Sequence, residues 1–207
     1  MDPVTHVLGA ALWTEPASRP EVAPAAYARW RERAAVVLGA LLPDADGVLG
    51  WIDLSLYERY HRVVTHSFTG LLVVTLLAAG LARWWPERWL LPFARTRVDR
   101  DQSIADPSLG RLLLFAAIAV CAHLLGDLIT AWGIWPAWPI SNHDFALARV
   151  NSIEPALFGV TLAAWAAQHW LLVRGRRGVA WGAAGIWLVL VLVWVVVRPA
   201  LLGEPFI

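Results

Sequence analysis

The chain has 207 residues, of which 58% are apolar and 16% charged, against roughly 45–50% and about 25% in an ordinary soluble domain. With 14 Trp and a mean hydropathy of +0.56, it excludes a disordered chain and points to a membrane. All 17 basic residues are Arg and the net charge is +1, while the one Cys, Cys121, excludes an internal disulfide and a cysteine-based zinc site.

Two short apolar segments come first, 4–13 and 34–42, the second extending back to residue 25. The first lacks the basic start and the small-residue cleavage site of a signal peptide. Segments 112–131 and 179–197 are nearly unbroken apolar runs, and 67–82 and 156–173 are slightly shorter. Each is close to the 20 or so residues that a helix needs to cross a bilayer. The expected fold is all-α, a polytopic membrane helix bundle of about six helices: four full spans plus two short N-terminal helices. These form a single integral membrane domain over residues 1–207. Loops 14–33, 83–111 and 174–178 hold 13 of the 17 Arg. The positive-inside rule puts those loops in the cytoplasm and both termini outside. Trp84, Trp85, Trp89, Trp132, Trp135, Trp138 and Trp181 fall at span ends, where interfacial anchors belong.

Against this background a few ionisable residues stand out, since such groups are costly in or near a membrane and default to function. His123 and Asp127 are four apart on one predicted span and share a helix face. Taken alone, they read equally well as a hydrogen-bonded structural pair. Asp44 and Asp46 sit between Pro43 and Gly47 at the end of the second helix, in a turn that fixes their directions; taken alone, they read more readily as a solvated acidic loop or helix stop. His61 and His66 precede the third helix, with Thr65 or Ser67 as its N-cap. They converge if His61 lies in the loop. His6 opens the first helix. His143 and Asp144 read as loop surface and His169 as structural. The topology brings His6, Asp44, Asp46, His61, His66, His123 and Asp127 to one membrane face. Imidazole and carboxylate together are ligands for Zn²⁺, Mn²⁺ or Fe²⁺. Seven of them exceed one tetrahedral site and allow for two ions.

The blocks Thr5-His6, Pro43-Asp44-Ala45-Asp46, His61-Arg62 with Thr65-His66-Ser67, and His123-Leu124-Leu125-Gly126-Asp127 with Thr130 and Trp132-Gly133 resemble the YdjM family. Trp138-Pro139-Ile140-Ser141 and Ile153-Glu154-Pro155 continue the resemblance, which covers roughly residues 1 to 160. That family is described as LexA-binding, inner-membrane-associated, metal-dependent hydrolases. The resemblance departs at Val63, where relatives commonly have Gly. The His-x-x-x-Asp helix is also distantly similar to one in zinc-dependent phospholipase C and P1 nuclease. Their N-terminal amine ligand does not carry over to Met1-Asp2-Pro3, so neither does a trinuclear site. No feature of the chain points to a LexA-binding surface.

The resemblance and the ligand set together imply a metal-dependent hydrolase at the outer face of the inner membrane. It would act on a phosphoester of a lipid or other amphiphilic substrate, with a metal-activated water as nucleophile. Asp44 or Asp46 would orient that water or act as base. Arg62 would hold the phosphate bidentately, and Thr65, Ser67 and Thr130 would orient the ligands. The expected partners are membrane lipid and an amphiphilic substrate, not nucleic acid, since there is no basic patch interleaved with aromatics outside apolar surroundings. The contrasting reading is a non-enzymatic membrane protein that binds a metal or regulates a stress response. A transporter would want ligands near the bilayer midplane.

Overall fold

The computed structural model describes residues 1–18, 26–84, 106–131, 133–147, 150–151 and 153–202. The expectations for Arg19, Arg88, Arg95, Arg97, Arg100, Arg149, Trp85, Trp89 and Trp132 lie outside these residues. The chain is helical: α1 (Pro3–Thr14), α2 (Ala26–Leu41), α3 (Leu49–Ile52), α4 (Leu54–Tyr60), α5 (Phe68–Trp84), α6 (Leu109–Leu128), α7 (Pro155–Val173) and α8 (Arg177–Leu202). Short 3-10 turns at Glu15–Ala17 and Leu42–Val48 follow α1 and α2. Among the described residues, pairing of extended backbone is limited to isolated bridges, Thr130 with Val150 and Ile134 with Phe145. They fold the loop after α6 back on itself.

Four helical stretches are long and apolar enough to cross a membrane: Trp30–Ile52, Leu109–Leu128, Pro155–Val173 and Arg177–Pro199. This corrects the expected inventory in two places. The second helix, expected to be short, runs on through the 3-10 turn into α3 and joins the long ones. The third, expected as a span over 67–82, is the 17-residue α5 and is the shorter apolar helix. Pro43 at the start of the 3-10 turn explains the first change. It lacks an N–H and ends the α-helical pattern without reversing the chain. Arg31 and Arg33, assigned to a loop by the sequence, lie within α2.

Small residues set the spacing of the bundle. Ala35, Ala40, Ala78, Ala79, Ala82, Ala116 and Ala119 are fully buried where α2, α5 and α6 meet. A Cβ on Gly39 would lie 2.8 Å from the Ala116 carbonyl oxygen and 3.0 Å from Ala119 Cβ. Small side chains let membrane helix backbones approach this closely. α1 packs against α2, α6 and α7, and α7 against α8. At one end of the bundle, Arg side chains close the structure. Arg31 bonds the Arg83 carbonyl, Arg111 bonds Glu32 and, at 2.6 Å, the Ala17 carbonyl, and Arg177 bonds the Ser18 carbonyl at 2.9 Å. Glu32 is fully buried there. His6, Asp44, Asp46, His61, His66, His123 and Asp127 gather at the other end, while Asp106 pairs with Arg31 and Arg83 at the Arg-lined one.

Candidate metal centre

The end of α2, the start of α5 and the last turns of α6 converge on one buried spot. α6 contributes His123 and Asp127, both fully buried. The Leu42–Val48 turn contributes Asp44, and the segment before α5 contributes His66. That segment is held in two ways. Ser67 Oγ accepts from the Gly70 amide at 2.9 Å and caps α5. A Cβ on Gly70 would lie 2.1 Å from the Val64 carbonyl oxygen and 2.7 Å from that of Thr65. Only glycine allows the loop to fold down onto the first turn of the helix.

Asp44, His66, His123 and Asp127 each offer one ligand atom, all within 4.8 Å of one another. His66 Nε2 lies 2.9 Å from Asp127 Oδ2 and 3.4 Å from Asp44 Oδ1; His123 Nε2 lies 3.3 and 3.6 Å from the same two atoms. Ligands at about 2 Å from a tetrahedral ion are about 3.3 Å apart, close to these separations.

The hydrogen bonds around the cluster fix which ring nitrogens are free. His123 Nδ1 donates to the Ala40 carbonyl at 2.8 Å, so Nε2 is the ring nitrogen that faces the cluster and carries the lone pair when the ring is neutral. Thr65 Oγ1 donates to Asp46 Oδ2 at 3.2 Å and therefore accepts from His66 Nδ1 at 2.9 Å, leaving His66 Nε2 with its lone pair. These two Nε2 atoms are 3.0 Å apart. Asp44 Oδ1, facing both, is buried and makes no hydrogen bond. With both rings neutral, two ring lone pairs and two carboxylates aimed at one point repel one another unless a proton or a metal cation lies among them. The donor set fits a divalent metal.

The remaining predicted residues surround this cluster. His6 stacks on His123 with centroids 3.8 Å apart, its Nε2 is 3.4 Å from Asp127 Oδ1, and both its ring nitrogens are buried without hydrogen bonds. Asp46 and His61 pair with each other rather than joining the four: His61 Nδ1 is 2.8 Å from Asp46 Oδ1. Arg62 links the two groups. It is buried, with a left-handed φ of 66°, and donates to His61 Nε2 at 3.2 Å, Asp127 Oδ1 at 3.2 Å and Thr130 Oγ1 at 3.4 Å. Thr130 donates to the Asp127 carbonyl at 2.8 Å. Of the three expected orienting hydroxyls, Thr65 contacts a ligand side chain and Thr130 holds Arg62, while Ser67 serves the helix.

Three contacts lay outside the sequence reading. The Met1 amino group pairs with Asp127 Oδ1. The Ala40 carbonyl orients His123, and no side-chain pattern encodes that. Tyr57 stacks on His61 with centroids 4.4 Å apart, and its position four residues earlier was the available signal. Partial burial raises the Tyr57 phenol above its ordinary pKa, so it meets His61 as a neutral ring.

No solved structure matches the chain. Over 131 residues it is 28% identical to the uncharacterized protein YfhP of Bacillus subtilis (strain 168). That alignment covers 63% of this chain and 34% of YfhP, so the chain spans about a third of this relative's length. A family model described as YdjM inner membrane protein matches residues 1–200. With its long apolar helices and its buried histidine–aspartate cluster, the chain belongs to the YdjM inner membrane protein family.

Proposed function

We propose that this membrane protein is a metal-dependent hydrolase that cleaves a phosphoester of an amphiphilic substrate, with its site at the outer face of the membrane and both termini on that side. The observation that carries this reading is the meeting of the half-buried Asp44 with the buried His66, His123 and Asp127 in one cluster beside a buried arginine. Those four residues would hold a divalent ion. Zn²⁺ suits two imidazoles and two carboxylates best, and Mn²⁺ or Fe²⁺ fits the same donors. His6, beside the second oxygen of Asp127, supplies a donor for a second ion. Such an ion supplies Lewis acidity, polarising a phosphoryl oxygen and lowering the pKa of water to about 7.

The chain's own groups divide the remaining work. His61, its Nδ1–H held by Asp46, presents Nε2 to take a proton from the attacking water. Asp46 orients that ring and stabilises its charged form. Arg62 would turn its guanidinium from Asp127 and His61 to two phosphate oxygens, for which its planar fork is matched. Its left-handed backbone is the kind of strain that clusters at functional sites. The Arg-lined end of the bundle lies opposite, as a cytoplasmic face would.

The test is metal per protein by elemental analysis, with hydrolysis of phosphoester substrates before chelation, after chelation and after metal is restored. Bound metal and chelator-sensitive turnover are expected. Protein that neither carries nor takes up a divalent metal would end the reading.

A further inference from the structure

The segment between the two halves of the site has no part in the chemistry above, yet it exposes several large apolar side chains beside it. α3 and α4 leave the bundle directly after the Asp44–Asp46 turn and return at His61. They pack chiefly against each other and against that turn. At their junction Trp51 is 90% exposed, Ile52 73% and Leu54 62%. A bare tip of this kind in water would be an aggregation liability. Its surroundings say what covers it. It forms the end of a helical stretch long and apolar enough to cross a membrane, Trp30–Ile52, whose Val37, Leu41 and Val48 are also exposed. Ile140, on the loop after α6 that bonds the start of α5, is 94% exposed at the same end. Asp53 and Arg59 beside the tip are exposed and charged. Apolar side chains with Trp, flanked by exposed charges, are the composition of a headgroup-level element.

We infer that α3–α4 is a membrane-interface foot: Trp51, Ile52 and Leu54 sit among the headgroups and upper acyl chains of the leaflet on the site's side. The foot is attached at both ends to the site, and Tyr57 on α4 stacks on His61. Its seating therefore fixes the mouth of the site at the depth of lipid phosphates. The foot itself requires only that the chain is a membrane protein. The delivery of a lipid phosphoester rests on the hydrolase reading.

The experiment places a single environment-sensitive label at Ile52→Cys, and separately at Leu54→Cys, in a Cys121→Ala background. The full chain is reconstituted in nanodiscs of phosphatidylcholine and phosphatidylglycerol, with Ser108→Cys at the opposite end as the water-exposed control. Labels at 52 and 54 are expected to emit at shorter wavelength than the control. Lipids bearing a nitroxide near the headgroup should quench them several-fold more than aqueous iodide does, the reverse of the control. Iodide quenching equal to that at 108 would put the foot in water and overturn the proposal. Shielding from both quenchers would mean that protein, a second copy or another partner, covers it, and would overturn it equally. No turnover is measured, so failure here is separable from failure of the hydrolase reading, which the metal content of the same samples reports.

Discussion

Asp127→Asn separates a metal ligand from a structural carboxylate by a difference of two differences. The substitution keeps the shape and removes the charge. In chelated protein it leaves the buried Arg62 guanidinium, 3.2 Å from Oδ1, and the Met1 amino group without that counter-charge. Breaking a buried pair costs about 3–5 kcal/mol. Relief of repulsion from Asp44 offsets part of this, so about 3 kcal/mol is expected. A ligand at a hundredfold excess over its Kd stabilises the native protein by about 2.7 kcal/mol. Zinc should add that increment to the wild type and nothing to the variant, widening the gap from about 3 to nearly 6 kcal/mol. The measurement is unfolding by SDS titration in mixed micelles, with chelator and with zinc, alongside metal per protein. Thr130→Val, which loses bonds to Arg62 and to the Asp127 carbonyl, is the control and should keep the zinc increment. If zinc stabilises Asp127→Asn as much as the wild type, the carboxylate is no ligand and the argument from geometry fails.

Gly70→Ala should dismantle the site without touching a ligand, because its new Cβ would meet backbone carbonyls at 2.1 and 2.7 Å; the expectation is lost metal with near-native far-UV circular dichroism. Ser67→Ala removes the α5 cap and the bond from Ser67 Oγ to the Val64 carbonyl and should cost about 2 kcal/mol in SDS titration, with metal content retained. Arg62→Lys keeps the charge but not the fork, so metal binding should persist while phosphoester turnover falls at least about tenfold; unchanged turnover would remove Arg62 from phosphate binding. Cysteines placed at exposed Ser108 and Gly175 should resist an impermeant reagent in intact cells until the membrane is opened, and labelling from outside would invert the topology.

Periodic and local features were legible from sequence. His123 and Asp127 share a helix face by spacing alone, and the Arg count brought them to one level with His66 and Asp44. The division among the seven residues was not legible. Asp46 and Asp44 are two apart in a 3-10 turn, and their different partners depend on where the 61–66 loop lands. That loop is set by Gly70 against Val64, a tertiary contact with no sequence period. The α3–α4 foot was not legible because its apolar residues, Trp51, Ile52 and Leu54, follow the Pro43–Gly47 turn that reads as the end of the second helix. Its one local sign was Asp53 before Leu54. The Asp53 carboxylate accepts from the Ser55 hydroxyl and amide, which cap α4 and hold its pKa below the ordinary range. The Glu154–Arg198 pair, 3.1 Å apart and buried, joins α7 to α8 across 44 residues, and neither residue announces the other.

The buried carboxylate of Glu32 has a consequence for how the protein is made. Its partner Arg111 follows 79 residues later in the chain. During synthesis at roughly 5–20 residues per second, α2 leaves the ribosome seconds before the guanidinium that it meets in the finished bundle. Arg31, Glu32 and Arg33 lie at the start of the apolar stretch Trp30–Ile52, and the fully buried Glu32 carboxylate reaches its place against Arg111 only once α6 has been made. The strongly apolar α6 brings Arg111 in its first turn. Final seating of α2 is therefore coupled to the arrival of α6, and the ligand-bearing turn after α2 takes its place only when the helix carrying His123 and Asp127 is already there to receive it.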